Sequence, residues 1–174
     1  MEPTIQVGDR IVVNKSAYTL ELPFTNVVLS QTGDIARGDI VVIQSSAADT
    51  RLVKRVVAIA GDTVSLSNNT LTVNDEHAVI QRRDHYVFQE NIGDSQRSIQ
   101  LLPVQGARSS FNEVVVPDKH VLVMGDNRNN SVDSRYYGFI PVEEVQGRAT
   151  RVAFSLDKEN YYLPRGERSL LALQ

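Results

Sequence analysis

Apolar residues in this chain come in short β-branched runs or at every second position, and seldom at helical spacing. Ile11-Val12-Val13, Ile40-Val41-Val42-Ile43, the stretches 52–59, 64–66 and 114–116, and Val121-Leu122-Val123-Met124 are bounded by turn-forming residues. Such runs read as strands. Gly-Asp pairs at 8–9, 33–34, 38–39, 61–62 and 125–126 punctuate their entries and exits. Asn68-Asn69 between Thr63–Ser67 and Thr70–Val73 predicts a hairpin with a two-residue turn. One weak helix is expected at 142–145, where Pro141 suits the first helical position. The expected fold class is mostly β.

The pattern changes between about His77 and Ser110, where polar residues dominate, as in Gln81-Arg82-Arg83-Asp84. This stretch reads as an insertion between two more apolar β blocks. The chain has 174 residues, enough for one domain with its own core. Lys and Arg number 18 against 21 Asp and Glu, a net charge of -3, which gives no support to a nucleic-acid partner. Cysteine is absent, so thiolate catalysis, disulfides and thiolate metal sites are excluded. No apolar run approaches the roughly 20 residues that span a bilayer, and no signal peptide is visible. A membrane anchor, if the protein has one, is expected outside this sequence.

Three segments carry chemistry-bearing residues. The first is Met1-Glu2-Pro3-Thr4-Ile5, followed by Val7-Gly8-Asp9-Arg10. Taken alone it is an edge segment with a proline and a turn. The second is Arg51-Leu52-Val53-Lys54-Arg55-Val56-Val57, ending at Gly61-Asp62. In a strand, Leu52, Lys54 and Val56 share one face and Val53, Arg55 and Val57 the other. Two cations inside an apolar run are costly unless partnered or functional, and a desolvated lysine can serve as a general base. The alternative is a pair of cations snorkelling to water from an edge strand.

The third segment, Gly125-Asp126-Asn127-Arg128-Asn129-Asn130-Ser131-Val132-Asp133-Ser134-Arg135, leaves a fully apolar strand. It reads as an ordered polar loop, in which Asp133 and Arg135 can pair on one side of an extended stretch. A calcium loop fails because Arg128 occupies the third ligand position. Other signals are weak. Arg37-Gly38-Asp39 reads as a turn, His77, His85 and His120 lack metal-ligand spacing, and no phosphate-binding glycine loop is present.

Together the segments resemble the bacterial type I signal peptidases, membrane-bound Ser/Lys proteases. Met-x-Pro-Thr, Arg-Gly-Asp-Ile-Val, Lys-Arg-Val with Gly-Asp, and Gly-Asp-Asn-Arg-x-Asn-Ser-x-Asp-Ser-Arg occur in the family's order from Met1 to about Arg148. The resemblance implies an antiparallel β catalytic domain over residues 1–66 and 112–174, with a smaller β insertion at 67–111. It makes Lys54 the general base and Ser131 the serine that orients it. Arg55, Asp126, Asp133 and Arg135 brace the site, and Met1, Ile5, Leu52 and Val53 line the substrate groove. No metal or cofactor is implied. The implied partners are preprotein signal peptides and a membrane lipid surface, at the outer face of the bacterial cytoplasmic membrane. Leu20, Leu22, Phe24, Val27, Val28 and Leu29 are the apolar candidates for that surface.

The family's nucleophilic serine stands immediately before the methionine of Met-x-Pro-Thr, which here is Met1. A chain starting at Met1 is therefore expected to be inactive, through truncation of a parent enzyme. Smaller departures are Ala60, Asn129 and Tyr137, where the family often has Pro, Asp and Trp. Two rival readings are an inactive β domain that binds extended peptides by strand addition, and a self-cleaving Ser/Lys repressor-type protease.

Overall fold

The computed structural model describes residues 1–21 and 28–173. Its first strands are β1 (Asp9–Asn14), β2 (Thr19–Glu21), β3 (Val28–Gln31), β4 (Ile40–Ser45) and β5 (Thr50–Ile59). They are followed by β6 (Thr63–Ser67), β7 (Thr70–Val73), β8 (Glu76–His77), β9 (Val79–Arg82), β10 (Val87–Ile92) and β11 (Ser95–Gln100). The chain closes with β12 (Phe111–Val115), β13 (His120–Met124), α1 (Ser134–Tyr137), β14 (Ile140–Pro141), β15 (Val145–Asp157) and β16 (Leu163–Pro164). The fold is mostly β, and the paired strands run antiparallel.

The main sheet has the order β1-β15-β4-β5-β13-β14, with β16 also on β15. A four-stranded sheet, β12-β6-β7-β8, packs beside it, and β11-β10-β9 form a third. Alternation along β5 feeds two cores. Leu52 and Val56 join Val41, Ile43, Val121, Val123 and Ile140. Val57 joins Val64, Leu66, Leu71, Val73, Leu122 and Met124. The hairpin at 63–73 forms as expected, with Asn68 and Asn69 in left-handed backbone at φ 48 and 66. Strand β6 pairs with β7 on one edge and β12 on the other, so positions 66 and 67 lie in one continuous strand.

Two local expectations are corrected. Residues Val142–Glu144 form a single 3-10 turn, not an α-helix, because β15 begins at Val145. Pro141 precedes that turn in extended backbone and belongs to β14. The Asp133–Arg135 stretch is not extended either. Asp133 caps the one-turn helix α1 by accepting the Arg135 amide, and Gly138 ends it at φ 81.

The polar middle of the chain holds up the loop after β13. Glu90 of β10 is fully buried. Arg128 of the loop donates to both its oxygens, at 2.7 and 2.6 Å, and Arg97 of β11 adds a third bond at 2.5 Å. The Gln100 amide bonds the Asp126 carbonyl at 2.8 Å, and Asn129 reaches the Leu102 carbonyl at 2.8 Å. Burial alone would raise the Glu90 carboxyl. The charges of Arg128 and Arg97 outweigh it and hold the group at about 2.

Glu90→Gln leaves two buried guanidinium groups short of a counter-charge, and a loss of about 3–5 kcal/mol is expected in denaturant melts at neutral pH. Because the folded carboxyl is depressed, its contribution is complete above the ordinary carboxylate range and is lost as pH falls towards about 2. The parent should therefore lose stability over that acid window, and Glu90→Gln should lack this contribution to the loss. A second prediction concerns Asp133 and Arg135, buried at 1% and 8% exposure. Single and double substitutions (Asp133→Asn, Arg135→Ala) should show coupling well above the 0–1 kcal/mol or so of a surface pair.

Candidate active site

Lys54 and Arg55 are adjacent on β5 and therefore point to opposite sides of the sheet. In register, Lys54 stands opposite Val41 of β4, and Arg55 stands between Ile40 and Met124. Arg55 turns inwards and is 2% exposed. Its Nε and Nη2 donate to the two oxygens of Asp126, each at 2.8 Å, and its Nη1 reaches the Gly38 carbonyl at 2.9 Å. Thr4 also donates to Asp126 Oδ2, at 2.5 Å. The buried ion pair thus ties β5, the loop after β13 and the amino-terminal turn to one point.

Lys54 points to the other side and is half-buried, and its Nζ donates to Ser131 Oγ at 2.9 Å. Gly125 makes room for that contact. A Cβ at position 125 would lie 2.2 Å from Ser131 Oγ and 3.8 Å from Lys54 Nζ. Only a residue without a side chain lets the serine approach.

Ser131 is held from below. Asp133 takes the Gly125 amide on Oδ2 at 3.0 Å and the Arg135 guanidinium on both oxygens at 2.8 Å. Arg135 also donates to the Arg128 carbonyl at 2.5 Å and the Arg108 carbonyl at 2.8 Å. Arg108 returns a bond to the Arg135 carbonyl and stacks 4.7 Å above the Tyr136 ring. Burial would raise the Asp133 carboxyl, but Arg135, Gly125 and Ser131 outweigh it and keep it charged below the usual range.

The Lys54 amine falls below the ordinary lysine value. Burial is the main cause; the Asp133 charge offsets some of it, and Arg135 adds to it. A desolvated amine held by a serine oxygen is suited to take up a proton. The amino group of Met1 is likewise pushed down, by burial first and then by the nearby Lys54 charge. The Met1 carbonyl accepts the Ile5 amide at 3.0 Å, which closes the amino-terminal turn.

The structure therefore brings together Lys54 with Ser131, Arg55 with Asp126, and Asp133 with Arg135, and the Lys54 charge acts on the amino group of Met1. Ile5, Leu52 and Val53 are half-buried, and Leu52 packs on the core cluster around Val41 and Ile43. Leu20 and Leu29 are exposed, at 45% and 56%. Leu22, Phe24 and Val27 lie outside the described residues, as does the side chain of Val28. Among the described residues no helix is long and apolar enough to cross a membrane, and no group of acidic and histidine side chains is placed to hold a metal ion.

Sequence reasoning missed Thr4, Glu90, Arg97 and Arg128 as supports of the site. Thr4 stands inside one of the family's motifs, and Arg128 inside another, where it served only to exclude calcium. Glu90 and Arg97 gave no signal, since they lie in the polar stretch that reads only as an insertion.

Residues 1–154 match the family described as signal peptidase, peptidase S26. The chain is similar to a signal peptidase I of Pseudomonas aeruginosa, 32% identical over 175 residues, covering 89% of this chain and 62% of the relative. It is similar to signal peptidase I P of Bacillus subtilis subsp. natto, 34% identical over 158 residues, covering 90% of this chain and 79% of that one. It is also similar to a signal peptidase I of Buchnera aphidicola, at 28% identity over 97% of this chain and 69% of the relative. The chain thus spans roughly two thirds of the length of several relatives. A solved signal peptidase I from Enterococcus faecalis V583 is 26% identical, covers 67% of this chain and superposes with a TM-score of 0.45, too low to carry a comparison of folds. With the matched residues running from Met1 through the lysine strand and the loop of Ser131, this chain belongs to the signal peptidases of peptidase family S26.

Proposed function

We propose that this chain is the catalytic domain of a serine endopeptidase that removes signal peptides from exported preproteins, with Lys54 as its general base. The observation that carries the reading is the half-buried Lys54 amine held 2.9 Å from Ser131 Oγ. The resemblance assigns the nucleophilic serine to the position just before Met1, whose amino group feels the Lys54 charge.

The chemistry follows from those positions. The serine oxygen attacks the carbonyl carbon of the small residue that ends the signal peptide, and neutral Lys54 takes the hydroxyl proton. Lys54 gives that proton to the leaving amine as the C–N bond breaks, then takes a proton from the water that cleaves the serine ester and returns it to the serine oxygen. Ser131 accepts a hydrogen bond from the lysine and so aims its lone pair at the incoming proton. Asp126 and Arg55 keep the amino-terminal turn and β5 in register during attack. Asp133, Arg135 and Gly125 hold Ser131 in place. Met1, Ile5, Leu52 and Val53 line the groove for the signal peptide. The domain works at the outer face of the bacterial cytoplasmic membrane. The exposed Leu20 and Leu29 face the lipid surface in this reading.

Cleavage of a purified preprotein, read by mass spectrometry, tests the proposal. Residues 1–174 preceded by a serine should cut after a small residue, whereas the chain starting at Met1 should not. Lys54→Ala should abolish cutting, and Ser131→Ala should lower kcat by roughly 10²–10⁴-fold, the usual range for general-base assistance. Absence of cleavage with the serine in place would leave a peptide-binding domain instead. The base must be neutral to act, so activity should rise with pH through the Lys54 pKa. Because burial lowers that pKa, the midpoint should fall below the roughly 10.4 of an unperturbed lysine.

A further inference from the structure

The amino-terminal turn is gripped from behind by two arginines of the carboxy-terminal segment. Arg168 donates through Nε to Asp9 Oδ1 at 3.0 Å and through Nη2 to Asp9 Oδ2 at 2.5 Å. The same Nη2 reaches the Thr4 carbonyl at 2.9 Å. Arg165 donates through Nη1 to Gln6 Oε1 at 3.0 Å and through Nη2 to the Val7 and Leu156 carbonyls. The Asp9 side chain is fully buried and that of Arg168 is 12% exposed. Burial would raise the Asp9 carboxyl, but Arg168, Ser155 and the Gln6 amide outweigh it and keep it charged.

The turn fits this grip closely. Gly8 has φ +99, and a Cβ there would lie 2.0 Å from the Leu156 carbonyl oxygen and 2.7 Å from Arg165 Nη2. Strand β1 begins at Asp9 and pairs with β15 along its own length, so the arginines are not needed for its register. What they hold is the turn before it, whose Gly8 carbonyl also accepts the Leu156 amide of β15 at 3.1 Å. On its other side that stretch is anchored by Thr4 on Asp126, the partner of Arg55. Residues 4–9 are thus suspended between Asp126 of the loop after β13 and the guanidinium fork of Arg168. Both arginines lie beyond residue 154, where the family match ends.

The geometry points to Arg168, supported by Arg165, as a positioning residue for signal-peptide cleavage: by fixing residues 4–9 it sets where the serine before Met1 stands relative to Lys54. This inference rests on reading the chain as a Ser/Lys peptidase. A planar fork on a carboxylate and a carbonyl fixes both distance and direction, which a lysine at 168 would not do. Arg168 touches no reacting atom. Its effect is transmitted through Thr4 and the turn, and a displacement of the nucleophile by about 1 Å costs roughly 10²-fold in rate.

Two measurements test it: preprotein cleavage by the chain preceded by its serine, and amide hydrogen exchange across that same chain. Arg168→Gln should lower kcat by roughly 10- to 100-fold and leave KM within about twofold, since alignment is lost and binding is kept. Exchange should rise at residues 4–9 and stay unchanged in β4, β5 and β13. Added guanidinium should restore some of the lost kcat. Should Arg168→Gln fail to fold, Asp9→Asn is read the same way, since it weakens the fork and keeps the Thr4 contact. Unchanged kcat, unchanged exchange at 4–9, or exchange rising over the whole chain in step with lost activity would each overturn the positioning role. Failure of the parent form to cleave would overturn the peptidase reading itself. The ratio of variant to parent decides the inference.

Discussion

The Arg55–Asp126 ion pair is the constraint on which the rest of the site depends. Both groups are almost wholly enclosed, and a buried pair survives only if its remaining donors and acceptors are also met. Arg55 gives its remaining contact to the Gly38 carbonyl, and Asp126 takes the Thr4 hydroxyl. Four stretches distant in sequence are thereby brought to one point. The pair also locks the register of β5. A slip of one residue would turn Lys54 to the side of Asp126 and Arg55 to the side of Ser131, since strand faces alternate. The cost of burying one cation thus determines where the other one goes.

The second cation owes its character to what is kept away from it. Asp133 is the carboxylate whose charge acts most strongly on Lys54. Arg135 occupies both oxygens of Asp133, and among the described residues no carboxylate forms an ion pair with Lys54. The guanidinium neutralises the group that would otherwise hold the lysine charged, while the same carboxylate orders the loop that presents Ser131. One buried pair therefore serves both geometry and electrostatics. Farther from the lysine, Glu90 has the corresponding role, using two arginines to join the inserted strands to the back of the loop.

Much of the fold was legible because β-branched runs and Gly-Asp punctuation report local backbone preference directly. The Asn68-Asn69 hairpin is the clearest case. The site was legible through motifs whose residue types are costly to bury, Lys54 and Arg55 above all. What stayed hidden depends on partners remote in sequence. Nothing near Glu90 tells a reader that Arg128, 38 residues later, will enclose it. The turn of helix at Ser134–Tyr137 escaped a strand-based reading because its cap, Asp133, was already committed to a pair with Arg135. Both functions come from the same carboxylate, and a period-two pattern registers only one of them.

The suspension of the amino-terminal turn bears on how such a chain comes to life. Thr4 meets Arg168 across 164 positions and Asp126 across 122. Contacts of that span carry a high closure cost, and a growing polypeptide lacks the first of them until residue 168 has been made. The strands around Val41 and Val56 can pair long before the turn is fixed beside the lysine. On the Ser/Lys peptidase reading, pairing of the central strands and alignment of the reacting groups are separate events in time. A chain short of residue 168 would already hold its central strands paired while the amino-terminal turn lacked its grip.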